Sequence, residues 1–185
     1  MAEMNETAGV LVLASRVSTG TLPNSPRVFD VMDAVSTAAQ RIEPRAELEG
    51  AAVGVRPPAV PALVSADRSQ TARIITNPLN NALTYSRPPA SVTIAVRPGD
   101  PVVVAVHDRG VGIPRDRQHA VFEPFLRLAA EGTTPGSAHG LGLGLYISRE
   151  LAALNGGSLE LEHSEPGQGS VFVLGLPRAT EQSIA

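Results

Sequence analysis

The stretch HGLGLGL, residues 139 to 145, constrains this chain more than any other. Gly140, Gly142 and Gly144 alternate with leucines, and YISRELAALN follows with Leu145, Ile147, Leu151 and Leu154 at helical spacing. This pattern reads as a tight loop running into a helix. Glycine lacks a Cβ, so the backbone can approach an anion closely, and the free N–H groups of the helix's first turn point at it with the positive end of the dipole behind them. A phosphate chain is the natural guest, although the same kind of turn also serves close packing against a neighbouring element.

Composition narrows what such a loop can belong to. The length of 185 residues and 43% hydrophobic content suit one domain with a substantial core. With no cysteine, neither a disulfide framework nor thiolate chemistry is available. All 15 basic residues are arginine. A phosphate loop of the GxxxxGK[ST] kind is therefore excluded, because its lysine reaches the phosphates. The net charge of −3 and an aromatic content of 3% leave neither a basic stripe nor stacking surface, so nucleic acid is not expected as a partner. The longest apolar runs, such as Val10 to Ala14, are too short to span a bilayer, and no membrane contact is expected of this segment.

In chain order, Met4, Ala8, Leu11 and Ala14 mark an amphipathic helix from Met4 to Val17, ended by the cluster Thr19, Gly20, Pro23 and Pro26. A second helix is expected from about Val28 to Ile42, closed by Pro44. AAVGV and PALVSA read as short strands around the link RPPAVP, and Asp67 stands where an N-cap would start the next helix.

That helix, Arg68 to Tyr85, would bury Ile74, Ile75, Leu79, Ala82 and Leu83 and carry Asn77 and Asn81 a turn apart on one face. Two amides so placed either meet water or serve a ligand, and an amide oxygen suits a hard cation such as Mg²⁺. Pro78 is expected to deform or interrupt the helix beside Asn77. SVTIAVR and PVVVAVHD form a hairpin around Pro98, Gly99 and Asp100, and its second strand runs into DRGVGIP. Asp108 thus sits at a strand end beside Gly110 and Gly112. A carboxylate there accepts hydrogen bonds only, so it would pair with an exocyclic amine such as adenine N6 and oppose a guanine carbonyl; a plain Asp-Xaa-Gly turn is the other reading. The run from Ala129 to His139 has the composition of a lid. Gly156 and Gly157 stop the last helix, and SLELEH and SVFVLGLP close a sheet around SEPGQG. The expected fold class is an α/β (α+β) two-layer sandwich, a mixed β-sheet with helices on one face.

Four stretches, in this order, resemble the nucleotide-binding boxes of the catalytic, ATP-binding domain of sensor histidine kinases. NPLNNALTY (Asn77 to Tyr85) resembles the N box, DRGVGIP (Asp108 to Pro114) the first glycine box, FEPFLR (Phe122 to Arg127) the F box, and GLGLGL (Gly140 to Leu145) the second glycine box. The wider superfamily includes gyrase, heat-shock chaperones and mismatch-repair ATPases, and the resemblance implies their Bergerat fold.

It also implies roles. Asn81 would ligate Mg²⁺, Asn77 would lie near the phosphates, Tyr85 would pack on adenine and Asp108 would bind its N6 amine. Gly110 and Gly112, with Ile113, would shape the base pocket; Gly140, Gly142 and Gly144, with Leu141, Leu143 and Leu145 between them, would wrap the triphosphate. Arg127 would contact the γ-phosphate and, with Asn81, be catalytic. Three positions depart from the family: Thr84 stands where lysine or arginine is common, Leu141 where serine or threonine is frequent, and Pro78 replaces an ordinary helical residue.

On this resemblance, residues 1–26 are a remnant of the dimerisation domain and linker, 27–178 the catalytic domain, and 179–185 a loose tail. The chain would bind Mg²⁺ and ATP and donate the γ-phosphate to a histidine on a dimerisation domain, with a response regulator downstream and a cytoplasmic location, alone or as part of a membrane-bound sensor. His107, His119, His139 and His163 all fall inside the ATP-binding region, so the acceptor histidine is expected on another segment or chain, and the sequence reads as a fragment or a natural half. The alternative is an ATP-binding regulator of the anti-sigma or chaperone-like kind that switches a protein partner.

Overall fold

The computed structural model describes residues 9, 11–16, 19–86, 89–126 and 141–180. Residues 11–16 are helical, within the N-terminal helix expected from the sequence. The elements that follow are β1 (Arg27–Asp30), α1 (Val31–Leu48), β2 (Ala52–Arg56), β3 (Leu63–Ala66), α2 (Arg68–Tyr85), β4 (Ser91–Arg97), β5 (Val102–Asp108), a short 3₁₀ helix (Arg115–Ala120), α3 (Gly144–Leu154), β6 (Ser158–Glu165) and β7 (Gly169–Leu176).

Five strands form one sheet in the order β2-β4-β5-β7-β6. β2 pairs parallel with β4 and the remaining pairs are antiparallel, which makes the sheet mixed. Val92, Ile94 and Val96 of β4 alternate with less buried residues, as do Phe172 and Leu174 of β7, so one face of the sheet is apolar. α1, α2 and α3 cover that face with Val31, Val35, Ile42, Ile74, Leu79, Ile147 and Leu151, all at most 2% exposed. This is the α/β sandwich expected, with the helices on one side.

Three expectations fail at the first helices. The helix expected from Val28 begins at Val31 instead, because Asp30 caps it: its Oδ1 accepts the Met32 N–H at 3.0 Å, and Val28 and Phe29 go into β1, paired antiparallel with β3. Pro44 does not close it either, since α1 runs on to Leu48. Buried Ile42 and Ala46 flank the proline, and Arg45 is tied to Glu49, Asn80 and Thr84. Tertiary contacts thus offset a helix penalty of about 3 kcal/mol. Pro78 likewise leaves α2 continuous from Arg68 to Tyr85; it is buried beside Ile74, Leu79 and Ala82. The Asp67 cap is as expected, its Oδ1 accepting from the Ser69 and Gln70 N–H groups at 2.9 and 3.1 Å.

The segment before β1 is fastened to the domain. Gln70 Nε2 donates to the Pro23 carbonyl at 2.8 Å, Asn24 Nδ2 to that of Leu154 at 2.9 Å, and the Ser25 N–H to Asp67 Oδ2 at 3.3 Å. Buried Asn155 joins the same network, donating to Gln70 Oε1 at 2.8 Å and accepting the Asp67 N–H at 2.7 Å. At the other end the chain runs beside β3, the Ala179 N–H donating to the Leu63 carbonyl at 2.9 Å, so residue 179 is held; residues 181–185 lie outside the described part.

Candidate nucleotide site

The site residues gather where three elements meet: the C-terminal half of α2, the loop after β5, and the start of α3. Asp108 ends β5. Its Oδ1 accepts two backbone N–H groups, from Gly110 at 2.8 Å and Ser170 at 3.2 Å, which leaves Oδ2 without a hydrogen-bond partner among the described residues. Burial pushes the carboxyl above its usual range, against the two backbone hydrogen bonds and nearby His107, which pull it down.

The loop after Asp108 is clasped on both sides. Toward α2, the Val111 N–H donates to the Tyr85 carbonyl at 3.0 Å and Gly110 bridges to Ser86. A Cβ on Gly110 would come within 2.6 Å of that Tyr85 carbonyl oxygen. Toward the β6–β7 turn, the Gly167 N–H donates to Val111 O at 2.7 Å and the Ile113 N–H to Ser164 Oγ at 2.8 Å. Gly112 takes φ +69°, and a Cβ there would lie 1.9 Å from the Glu165 carbonyl oxygen. The loop thus presents a backbone wall held at fixed depth beside Asp108, and part-buried Tyr85 borders it.

At the start of α3 the leucines and glycines divide the work. Leu143 is 2% exposed, and Leu141 and Leu145 pack partly buried against the core. Ile113 is 9% exposed in the same core, so the Leu143 and Ile113 side chains face inward and serve packing. Gly142 sits at φ +69° with a would-be Cβ 2.6 Å from Leu126 O, and its own carbonyl accepts the Phe125 N–H at 3.0 Å. The FEPFL stretch is thereby fastened to the glycine turn. The N-cap residue of α3, Leu143, makes no side-chain cap hydrogen bond, so among the described residues the first-turn N–H groups have no side-chain acceptor at the cap.

Asn77 and Asn81, expected on one face, differ in their surroundings. Asn77 Nδ2 donates to the Gly144 carbonyl at 2.9 Å and to Ser148 Oγ at 2.6 Å, tying α2 to the glycine turn. Asn81 is part-buried and its amide makes no hydrogen bond with any described residue. An amide oxygen held on a helix and left unpaired fits a hard cation. Thr84 is not left alone: its hydroxyl donates to Asn80 O at 2.9 Å and accepts from Arg45 Nη2 at 3.0 Å, so a guanidinium from α1 stands beside this position.

Arg127, Gly140 and the lid expected from Ala129 to His139 lie outside the described residues. Sequence reasoning missed Ser148, Ser164, Gly169 and Ser170. Gly169, at φ +91°, lets β7 pass close beside the Asp108 carbonyl oxygen, where an added Cβ would clash. Its place in PGQG was a turn signal, but only strand pairing brings it to Asp108.

A mixed sheet faced by three helices, with an acid at a strand end and a glycine turn opening a helix, defines the Bergerat class of nucleotide-binding folds. Residues 66–180 match the family described as histidine kinase-, DNA gyrase B- and HSP90-like ATPase, and the chain belongs to that family as a sensor histidine kinase ATP-binding domain. It is 35% identical over 164 residues to the alginate biosynthesis sensor protein KinB of Pseudomonas aeruginosa, a match covering 88% of this chain and 26% of the relative. It is 37% identical over 177 residues to the sensor protein KdpD of Rathayibacter rathayi, covering 95% and 19%. The chain therefore spans only 26% and 19% of the length of these curated relatives. Among solved structures, the mycobacterial sensor histidine kinase MprB matches with TM-score 0.70 and 27% identity over 83% of this chain and 98% of that one. Full-length ShkA in complex with AMPPNP matches with TM-score 0.79 over 95% of this chain and 36% of that one; at 24% identity the likeness is one of fold. Among the described residues no helix is long and apolar enough to cross a membrane.

Proposed function

We propose that this domain binds Mg²⁺-ATP and donates the γ-phosphate to a histidine on a dimerisation domain, as the catalytic part of a cytoplasmic two-component sensor whose signal passes on to a response regulator. The observation that carries the reading is the Asp108 carboxylate: one oxygen is held by two backbone N–H groups and the other is open to an exocyclic amine. Tyr85, Gly110 and Gly112 form the base side of the site. The first turn of α3, with the turn at Gly142, faces the phosphates; Arg127 and Gly140 would contact them on the family resemblance alone. Mg²⁺ would be held by Asn81, and it supplies charge neutralisation between the phosphates.

Asn81→Ala is expected to weaken binding of Mg²⁺-ATP about ten-fold while leaving metal-free ATP within about two-fold, because only the metal complex uses the amide oxygen. Titration calorimetry with and without Mg²⁺ checks this, and equal losses in both titrations would make Asn81 structural.

The phosphoryl step is tested directly. Transfer needs the acceptor nitrogen in line with the leaving oxygen at near-contact distance. His107 and His163 are exposed on strands and His119 is exposed in the 3₁₀ helix. The chain with γ-labelled ATP and Mg²⁺ is expected not to label itself. Adding a polypeptide with a histidine-bearing helical hairpin should give acid-labile, base-stable label on that partner. Label on His107, His119, His139 or His163 of the chain alone would overturn the reading of an external acceptor, and nucleotide binding with no transfer to any such hairpin would favour the regulator.

A further inference from the structure

We propose that Ser148 is a positioning residue of the nucleotide site: with the Gly144 carbonyl it locks the Asn77 amide nitrogen-inward, so that Asn77 offers a bound nucleotide only its oxygen. The inference rests on the Mg²⁺-ATP reading above and specifies how one side of that site works.

Ser148 is fully buried at 0% exposure, in α3, where it is one turn beyond Gly144. Residues four apart on a helix share a face. The Ser148 hydroxyl and the Gly144 carbonyl therefore point together at α2, and Asn77 Nδ2 donates to both, at 2.6 and 2.9 Å. A primary amide nitrogen carries two hydrogens, so both are spent inside the protein. The orientation follows from chemistry: a carbonyl oxygen only accepts, and turning the amide over would set Oδ1 against Gly144 O in a part-buried gap.

With the nitrogen so occupied, Asn77 has no N–H left for a phosphate. Its Oδ1 accepts no hydrogen bond from a described residue, and it lies close enough to α3 that a Cβ on Gly144 would be 3.7 Å from it. A bare amide oxygen repels a phosphate oxygen and attracts a cation or the water bound to one. Asn77 and Asn81, a turn apart, then act alike as oxygen donors on the metal side of the site, while contact with the phosphates falls to backbone N–H groups. Ser148 touches no ligand; it acts through Asn77.

The test is a double-substitution cycle read by calorimetry with ATP, with and without Mg²⁺. Ser148→Ala should lower Mg²⁺-ATP affinity about three- to ten-fold, the effect of one lost hydrogen bond, and leave metal-free ATP unchanged. Asn77→Ala should do at least as much, and Ser148→Ala with Asn77→Ala should be no weaker than Asn77→Ala alone, because residues acting as one unit are not additive. Ser148→Cys, which keeps the shape but accepts poorly, should fall between wild type and alanine, and it carries the same comparison if the alanine variant does not fold. Equal loss with and without Mg²⁺, no loss, or additive losses would each overturn the proposal. Wild type that binds neither form of ATP would overturn the nucleotide reading itself, whereas wild type that binds Mg²⁺-ATP no better than Ser148→Ala does would overturn the role of Ser148 alone.

Discussion

Gly112→Ala is expected to destabilise the domain by roughly 2–5 kcal/mol, a left-handed backbone contributing about 1–2 and overpacking about 1–3. Gly112 has φ +69°, and the added carbon would lie 1.9 Å from the Glu165 carbonyl oxygen and 2.5 Å from its carbon. Neither is the far end of a flexible side chain, so the loop itself must move. Moving it breaks the clasp made by Val111 with Gly167 at 2.7 Å and by Ile113 with Ser164 at 2.8 Å, and Ile113 leaves the core. Against a typical total stability of about 5–15 kcal/mol this is a large share. Urea unfolding checks it. Gly144→Ala is the control: its carbon would meet Asn77 at an ordinary 3.6 Å, and it opens a helix, so stability should change by less than about 1 kcal/mol. Equal effects at the two positions would show that the packing of the first glycine loop is not as described.

Asp108→Asn should weaken ATP about ten- to a hundred-fold and reduce the preference for ATP over GTP, since a charge-assisted hydrogen bond contributes about 1.5–3 kcal/mol. Asparagine keeps an oxygen for the Gly110 and Ser170 N–H groups but places an NH₂, a donor, where Oδ2 stood. The same change should stabilise the nucleotide-free domain at neutral pH. Burial raises the folded carboxyl above its ordinary 3.8, so the folded state holds this proton more tightly than the unfolded chain. Its contribution is present below that ordinary value and is lost as pH rises through the raised one. Wild-type stability relative to Asp108→Asn should therefore fall with rising pH over that window and level off above it. Thermal melts of both proteins across pH, beside ATP titrations, separate the outcomes. A variant that loses affinity and stability together would show that Asp108 holds the loop rather than a base.

These two positions also mark the boundary between what was legible in the residues and what was not. DRGVGIP placed an acid at a strand end beside a glycine turn, and that is where Asp108, Gly110 and Gly112 stand. The Asp67 cap and the full span of α2 were legible because they depend on hydrogen bonds two to four residues apart and on a period of 3.6. The strands were legible too, β4 and β5 from their β-branched content and β6 and β7 from their alternation, both local signals.

Tertiary structure decided whatever depends on partners far along the chain. Pro44 and Pro78 both argued for breaks that did not occur, since a proline costs a helix about 3 kcal/mol. Buried Ile42 and Ala46 around one, and Ile74, Leu79 and Ala82 around the other, hold the helices straight through. The two asparagines of α2 were read a turn apart on one face, yet Asn77 meets Ser148, 71 positions on, while Asn81 makes no side-chain hydrogen bond with a described residue. Likewise the stretch from Pro23 to Ser25 read as linker because nothing local holds it, and it is held by Gln70, Leu154 and Asp67 across the fold. Local rules reach a few residues along the chain, so the amino-acid sequence by itself determined the order and type of the elements and the chemistry each could carry. Which of those groups are spent on the fold, and which are left open to a ligand, depended on contacts that exist only once the sheet and helices have packed.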